Sequence, residues 1–241
     1  MSSTTWTPPA VSSEAHAWVA QAWRIVEAQH ASSTMKLVDN ATEHSLLESL
    51  LEDSEPARPA GGVVLDYLLA TPFRYPTRQG GSRFRRTIDP GVFYGAQGVR
   101  TACAELGFWR WGFLKDAVDL DRLEPVAHTA FRVSLSCSAV DLRGPPFQRH
   151  EARWIHPSDY GPTQALAVAA RQAGVGCIVY RSVRDPEPAW CVAVLASGAF
   201  SRPRPYPHMQ TWWLSVRQDL VVWQRDGESI TFDAGRWAKR S

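Results

Sequence analysis

Phe131-Arg132-Val133-Ser134-Leu135-Ser136-Cys137 alternates without a break, apolar at 131, 133, 135 and 137 and polar between. A period of two is that of a strand with one face in a core and the other towards water. Towards the C-terminus, Cys177-Ile178-Val179-Tyr180 is wholly apolar, the pattern of a buried strand. Residues 190–195 predict its neighbour across the Asp185-Pro186 turn. Residues 212–216 and 220–224 read as further strands, and Asp226-Gly227 is a hairpin signal leading into residues 230–232.

Helices are expected between these strands. Residues 97 to about 111 place Ala102, Leu106 and Trp109 on one side, with Glu105 next to that face. Residues 162–173 carry Pro162 in the first turn and Gly174 as the stop. Residues 143–161 read as loop. Near the N-terminus, residues 1–12 read as a flexible arm containing Pro8-Pro9. From Ser13 to about His30, Trp18, Val19, Ala22, Trp23 and Val26 predict an amphipathic helix. Asn40-Ala41-Thr42-Glu43 has the form of a capping box and starts a second helix, with Leu46, Leu47, Leu50 and Leu51 on one face. That helix stops before Pro56, Pro59 and Gly61-Gly62. Residues 63–69 predict a short helix. The division that results is an N-terminal helical extension, 1–60, packed on a main unit, 61–241. Strands and helices mix without a βαβ rhythm, so the expected class is α+β, with a mixed, mainly antiparallel sheet and flanking helices.

A chain of 241 residues buries a substantial core. Its net charge of +2 is too small for binding nucleic acid through bulk phosphate neutralisation, and no direct nucleic-acid contact is expected. Cys103, Cys137, Cys177 and Cys191 form no CxxC pair and no metal-ligand spacing with histidine. They read as buried free thiols, and no metal is expected. The first residues lack the charged and apolar regions of a signal peptide, and no apolar run is long enough to span a bilayer. The expected location is the cytoplasm, with no membrane contact.

The chemistry concentrates between residues 73 and 105. Arg74, Arg78, Arg83, Arg85 and Arg86 are interleaved with Phe73, Tyr75, Phe84, Phe93 and Tyr94, and Glu105 follows on the expected helix. Guanidinium forks bind phosphate oxygens, and aromatic faces stack on rings. A carboxylate nearby would stabilise a sugar that becomes positive in a transition state. Each residue also has a plainer reading. Arg74 would be a loop arginine in an extended piece around residues 73–75, and Arg83, Arg85 and Arg86 a solvated patch. Tyr94, on a short strand at 92–94, would be core. Glu105 in its apolar setting would be salt-bridged, and Ser182 at a strand end would bond its own turn. The same basic and aromatic stretch also suits single-stranded RNA.

Phe73-Arg74-Tyr75-Pro76, then Pro90-Gly91-Val92-Phe93-Tyr94-Gly95 with Ala102-Cys103-Ala104-Glu105, then Gly176-Cys177-Ile178-Val179-Tyr180-Arg181-Ser182-Val183-Arg184 resemble, in that order, the RES domain family. Residues 30–51 look like the N-terminal extension of its longer members. The resemblance implies an ADP-ribosyltransferase-like fold and the toxin half of a type II toxin–antitoxin pair. It implies cleavage of the nicotinamide–ribose bond of NAD+, which is a substrate; no cofactor is needed. It implies Arg74, Glu105 and Ser182 as the catalytic set, with Tyr75, Arg83, Tyr94 and Arg181 binding the nucleotide. It also implies a small helix-turn-helix (Xre-like) antitoxin as partner, and a homodimer stays open. The tryptophan-rich tail after about residue 205 falls outside the resemblance, as an added sheet edge or a partner surface. The alternatives are an RNA-binding or RNA-cleaving toxin, an ADP-ribosyltransferase acting on a protein, and an inactive binding protein.

Overall fold

A computed structural model describes residues 6–28, 64–74, 81–117 and 119–238. The chain opens with a short helix, α1 (Pro8–Ser13), where the expectation was a flexible arm. The two prolines occupy its first turn, where their missing N–H groups cost nothing, and Val11 is buried.

Residues 16–27, expected as helix, form a strand, β1 (His16–Glu27). The spacing that misleads is Trp18, Ala22, Val26: a step of four fits a helical face and also one side of a strand. The other side of this strand is apolar as well, with Trp23 and Ile25 packed on the core. A strand apolar on both faces loses the alternation that would identify it. Residues 16–27 of the expected helical extension therefore belong to the sheet. The second expected N-terminal helix lies outside the described residues.

The next helix, α2 (Tyr67–Arg74), starts where Leu68 N donates to the Asp66 carboxylate. It takes in Phe73 and Arg74, which were expected to be extended; Tyr75 lies outside the described residues. Then come β2 (Phe93–Ala96), α3 (Val99–Asp116) and β3 (Arg122–Asp141). The 143–161 segment holds a 3₁₀ turn, Phe147–His150, and a short helix, α4 (Glu151–Trp154). After it follow α5 (Gly161–Gln172), β4 (Cys177–Arg181) and β5 (Trp190–Val194). The chain ends in β6 (Gln210–Arg217), β7 (Leu220–Arg225), β8 (Glu228–Asp233) and a last turn of helix, α6 (Gly235–Ala238). Asp226 and Gly227 join β7 to β8 with φ of 44° and 84°, the doubly left-handed turn of a tight hairpin.

Among the described residues, eight strands share one sheet in the order β1-β2-β5-β4-β3-β6-β7-β8, and β1 pairs with β3 as well. The first five strands in that order therefore close into a ring. Its spine is β3, at 20 residues the longest strand. It pairs antiparallel with β1 from His16↔Ala139 to Glu27↔His128 and with β6 along its first half. Its last residues run parallel to β4, from Ala139↔Cys177 to Asp141↔Val179. Every other pairing is antiparallel, so the fold is α+β with a mainly antiparallel sheet, as expected.

Alternation along the strands divides the core in two. Ile178, Tyr180, Cys191 and Ala193 face a cluster with Ala104, Trp111, Leu166 and Ala170 of α3 and α5. Val179, Val192 and Val194 face the other, with Leu69 of α2, Phe93, Phe131 and Phe200. Trp212 and Trp223 of the tail are core residues, whereas Trp213 is 51% exposed. Cys103, Cys177 and Cys191 are buried, Cys137 is half-buried, and all four thiols are free. Among the described residues no helix is long and apolar enough to cross a membrane.

His128 on β3 is buried, its Nδ1 on the Val126 carbonyl at 2.9 Å and its ring edge-on to Trp223. Burial pushes its pKa below the usual imidazole range. The folded chain thus resists a proton that the unfolded chain accepts. The stability at stake is complete above about pH 6.5 and is lost as pH falls below it. Thermal melts at pH 7.5 and 5.5 should show a smaller acid-induced drop in Tm for His128→Leu than for wild type. An identical drop would mean that His128 is not a source of the pH dependence.

Candidate functional site

The site forms where two strands part. β1 and β2 share a single pair, Trp23↔Ala96, and beyond it the sheet opens over α3. A cavity of about 250 Å³ lies at the opening, lined by Arg24 from β1, Arg83, Tyr94 from β2, Glu105 from α3, and Tyr160, Tyr180 and Arg184, among others.

Glu105 reaches the cavity because the first turns of α3 are small. Thr101, Ala102, Cys103 and Ala104 are all buried and let the helix lie close to the sheet. The start of the helix is tied to the β4–β5 turn by Thr101 Oγ1, which donates to Asp185 Oδ2 at 2.8 Å, and by the Arg100–Asp185 ion pair. The same turn holds Ser182. Its Oγ accepts from the backbone N–H of Arg184 and Asp185 and donates to Glu105 Oε1 at 2.7 Å. Both readings of Ser182 are thus realised at once: it braces its own turn and holds a carboxylate. Val183 N (3.3 Å) and the Cys191 thiol (3.7 Å) also donate to Oε1. Burial, with the Glu105 charge behind it, pushes the Cys191 thiol well above its ordinary pKa, so it stays a neutral donor. Oε2 has no hydrogen bond among the described residues.

Three arginines line the cavity with this carboxylate, and none has a carboxylate hydrogen-bond or ion-pair partner among the described residues. Arg83, 8% exposed, donates to the carbonyls of Trp154 and His156 and lies over the Tyr160 ring at 4.7 Å. Arg184, 3% exposed, donates to the Pro157 carbonyl and lies over the Phe108 ring; its Nη1 is buried without a partner. Burial lowers its pKa. Arg24 donates from Nη1 to the Tyr94 carbonyl at 3.0 Å, bridging the gap between β1 and β2, and lies over the Phe93 ring at 4.6 Å. Burial pushes its pKa down to about 10, and its Nε has no partner. Three guanidiniums against one carboxylate leave the lining with a formal charge of +2. Burying such charge without counter-ions is costly, and an anion entering the cavity relieves that cost.

The Tyr94 hydroxyl is not free for a ligand. It accepts from Phe84 N at 3.0 Å and shares a hydrogen bond with Ser82 Oγ at 2.8 Å, which pins the 81–86 turn beside the cavity. Burial raises its pKa. What Tyr94 offers the cavity is its ring.

Of the residues singled out from the sequence, Glu105, Arg83 and Tyr94 line this cavity and Ser182 supports it from behind. Arg83 and Arg85 are buried, so the solvated-patch reading fails for both; Arg86 pairs with Asp89. Arg181 faces away from the cavity and pairs with Glu151 at 3.2 Å. Arg74 does not line it. Arg74 closes α2, whose Leu69 and Phe73 pack on the opposite face of the sheet from Glu105. Sequence reasoning missed Arg24 and Arg184. For Arg24 the available signal was a cation inside an apolar run, Trp23-Arg24-Ile25-Val26; Arg184 is two residues from Ser182 in a stretch already quoted.

The family model described as the RES domain matches residues 56–217, about two thirds of the chain. Among solved structures, the M. tuberculosis MbcT–MbcA toxin–antitoxin complex is similar with a TM-score of 0.46 and 13% identity, over 94% of this chain and 91% of that one. No curated protein matches the chain in sequence.

Ser182→Ala would strip Glu105 Oε1 of its shortest bond and leave two buried backbone N–H groups without that acceptor. Urea unfolding should show a loss of about 1–3 kcal/mol with an unchanged m value. A midpoint equal to wild type would mean that the hydroxyl holds nothing in place.

Proposed function

The chain belongs to the RES domain family, and from that premise we propose that it is the toxin of a type II toxin–antitoxin pair that destroys NAD+ by breaking the nicotinamide–ribose bond. The observation that carries this reading is a carboxylate with one oxygen fixed by three donors and the other open, set among guanidiniums that lack counter-ions. The pyrophosphate of a dinucleotide carries two negative charges, which match the formal charge of the lining.

Nicotinamide leaves as a neutral molecule, so its departure needs little acid help. What limits the reaction is the positive charge growing on the ribose. In this reading Glu105 Oε2 faces the ribose, orients its hydroxyls and stabilises the oxocarbenium-like transition state. Ser182, Val183 N–H and the Cys191 thiol fix Oε1, so the carboxylate does not have to reorganise as charge develops. Arg24 and Arg184 hold the pyrophosphate. Arg83, already bound to two carbonyls, adds its charge and braces the wall that carries Tyr160. The Tyr94 ring packs on the nicotinamide end, while its hydroxyl keeps the 81–86 turn in place. An ADP-ribosyltransferase-like fold accords with a nucleotide site at the parting of two strands. The acceptor of the ADP-ribosyl group is water or phosphate, and a helix-turn-helix antitoxin restrains the activity.

Purified protein incubated with NAD+ should release free nicotinamide. Glu105→Gln should slow that release about 10²–10³-fold while the far-UV circular dichroism stays that of wild type. A Glu105→Gln protein that turns over at the wild-type rate would remove Glu105 from the chemistry. A wild-type protein that releases no nicotinamide would remove the reaction itself.

A further inference from the structure

A cavity of about 250 Å³ is smaller than the ~300–1,000 Å³ of most small-molecule sites. It has room for the nicotinamide–ribose part of a dinucleotide, and the adenosine part then has to leave by the mouth. At the mouth stands Trp109 of α3, which lines the cavity and is 54% exposed. Its ring meets Phe108 edge-on at 5.6 Å, and its indole N–H bonds no described residue. Phe113, four residues on and so on the same face of the helix, is 59% exposed. The other large exposed apolar side chains, such as Val19, Ile88 and Trp213, do not line the cavity. Between Trp109 and Phe113, Arg110 pairs with Glu27 at the end of β1, which anchors this stretch of α3 against the strand that carries Arg24.

We propose that Trp109 is the stacking platform for the adenine ring of the dinucleotide, with Phe113 extending it along α3. This rests on the dinucleotide reading of the cavity. An indole left half in water at the edge of a charged cavity loses nothing by being covered, and stacking a base on an aromatic ring is worth about 1–3 kcal/mol. The selectivity follows from position. Glu105 faces the ribose, and the arginines reach the phosphate beside it, both present in every nicotinamide nucleotide, whereas Trp109 meets only the adenosine that a mononucleotide lacks.

The test compares NAD+ with nicotinamide mononucleotide, which lacks the adenylate half, adenosine and one phosphate. Trp109→Ala should raise KM for NAD+ about tenfold and change kcat little, while KM for the mononucleotide stays at the wild-type value. Trp109→Phe, which keeps a ring, should recover most of the loss. Calorimetric binding of ADP-ribose, which needs no turnover, should weaken about tenfold in Trp109→Ala. Equal shifts for both substrates, or wild-type ADP-ribose affinity in Trp109→Ala, would overturn the assignment. So would a wild-type protein that does not bind ADP-ribose. If the wild type releases no nicotinamide yet binds ADP-ribose in a Trp109-dependent way, the glycosidic reading fails and the base platform stands.

Discussion

The pairing of β1 with β3, unbroken from His16↔Ala139 to Glu27↔His128, is the constraint on which the rest of the molecule depends. It closes the first five strands into a ring. It also carries a cation, Arg24, to the one place where the ring is nearly open. Because β1 and β2 touch at a single pair, the backbone there leaves polar groups to be satisfied by something other than a strand. Arg24 meets part of that need through the Tyr94 carbonyl, and the remaining opening is the cavity. The site is therefore a consequence of how the sheet ends its own pairing.

Around that opening the chain arranges charge in an unusual proportion. Several arginines elsewhere in the molecule sit in ion pairs, for example Arg86 with Asp89, Arg100 with Asp185 and Arg143 with Asp141, while Arg149 and Arg171 bond backbone carbonyls. At the cavity, carbonyl oxygens and aromatic faces take the place of carboxylates. Carbonyls satisfy donors without cancelling charge, so the field of three guanidiniums survives burial. The lone carboxylate is braced on one side only. A site made of fixed dipoles and uncancelled positive charge suits a reaction in which an anionic nucleotide must be held while its sugar turns cationic.

Much of the fold was legible because local pattern and burial agree. The alternation at 131–137 identified β3, Gly174 marked the end of α5, and Asp226-Gly227 located the last hairpin. Glu105 was legible too, as a carboxylate in an apolar helical turn whose only economical setting is a pocket or a partner. Arg24 was not legible. Its strand is apolar on both sides and repeats at a step of four, so the local pattern imitates a helix. Only pairing with residues more than a hundred positions away makes it a strand. For Arg74 motif and geometry part: it does not line the cavity, and the helix it closes packs through Leu69 and Phe73 on the other cluster. Function here depends on non-local pairing, which a window of sequence does not contain.

The central claim is that Glu105 and Arg24 act on one dinucleotide in one cavity. A crystal structure of the Glu105→Gln protein soaked with NAD+ tests it most directly. The account predicts the ribose against residue 105 at the parting of β1 and β2, with the pyrophosphate within hydrogen-bond reach of the Arg24 and Arg184 guanidiniums. A dinucleotide bound on the α2 face of the sheet beside Arg74, with the cavity empty, would contradict it.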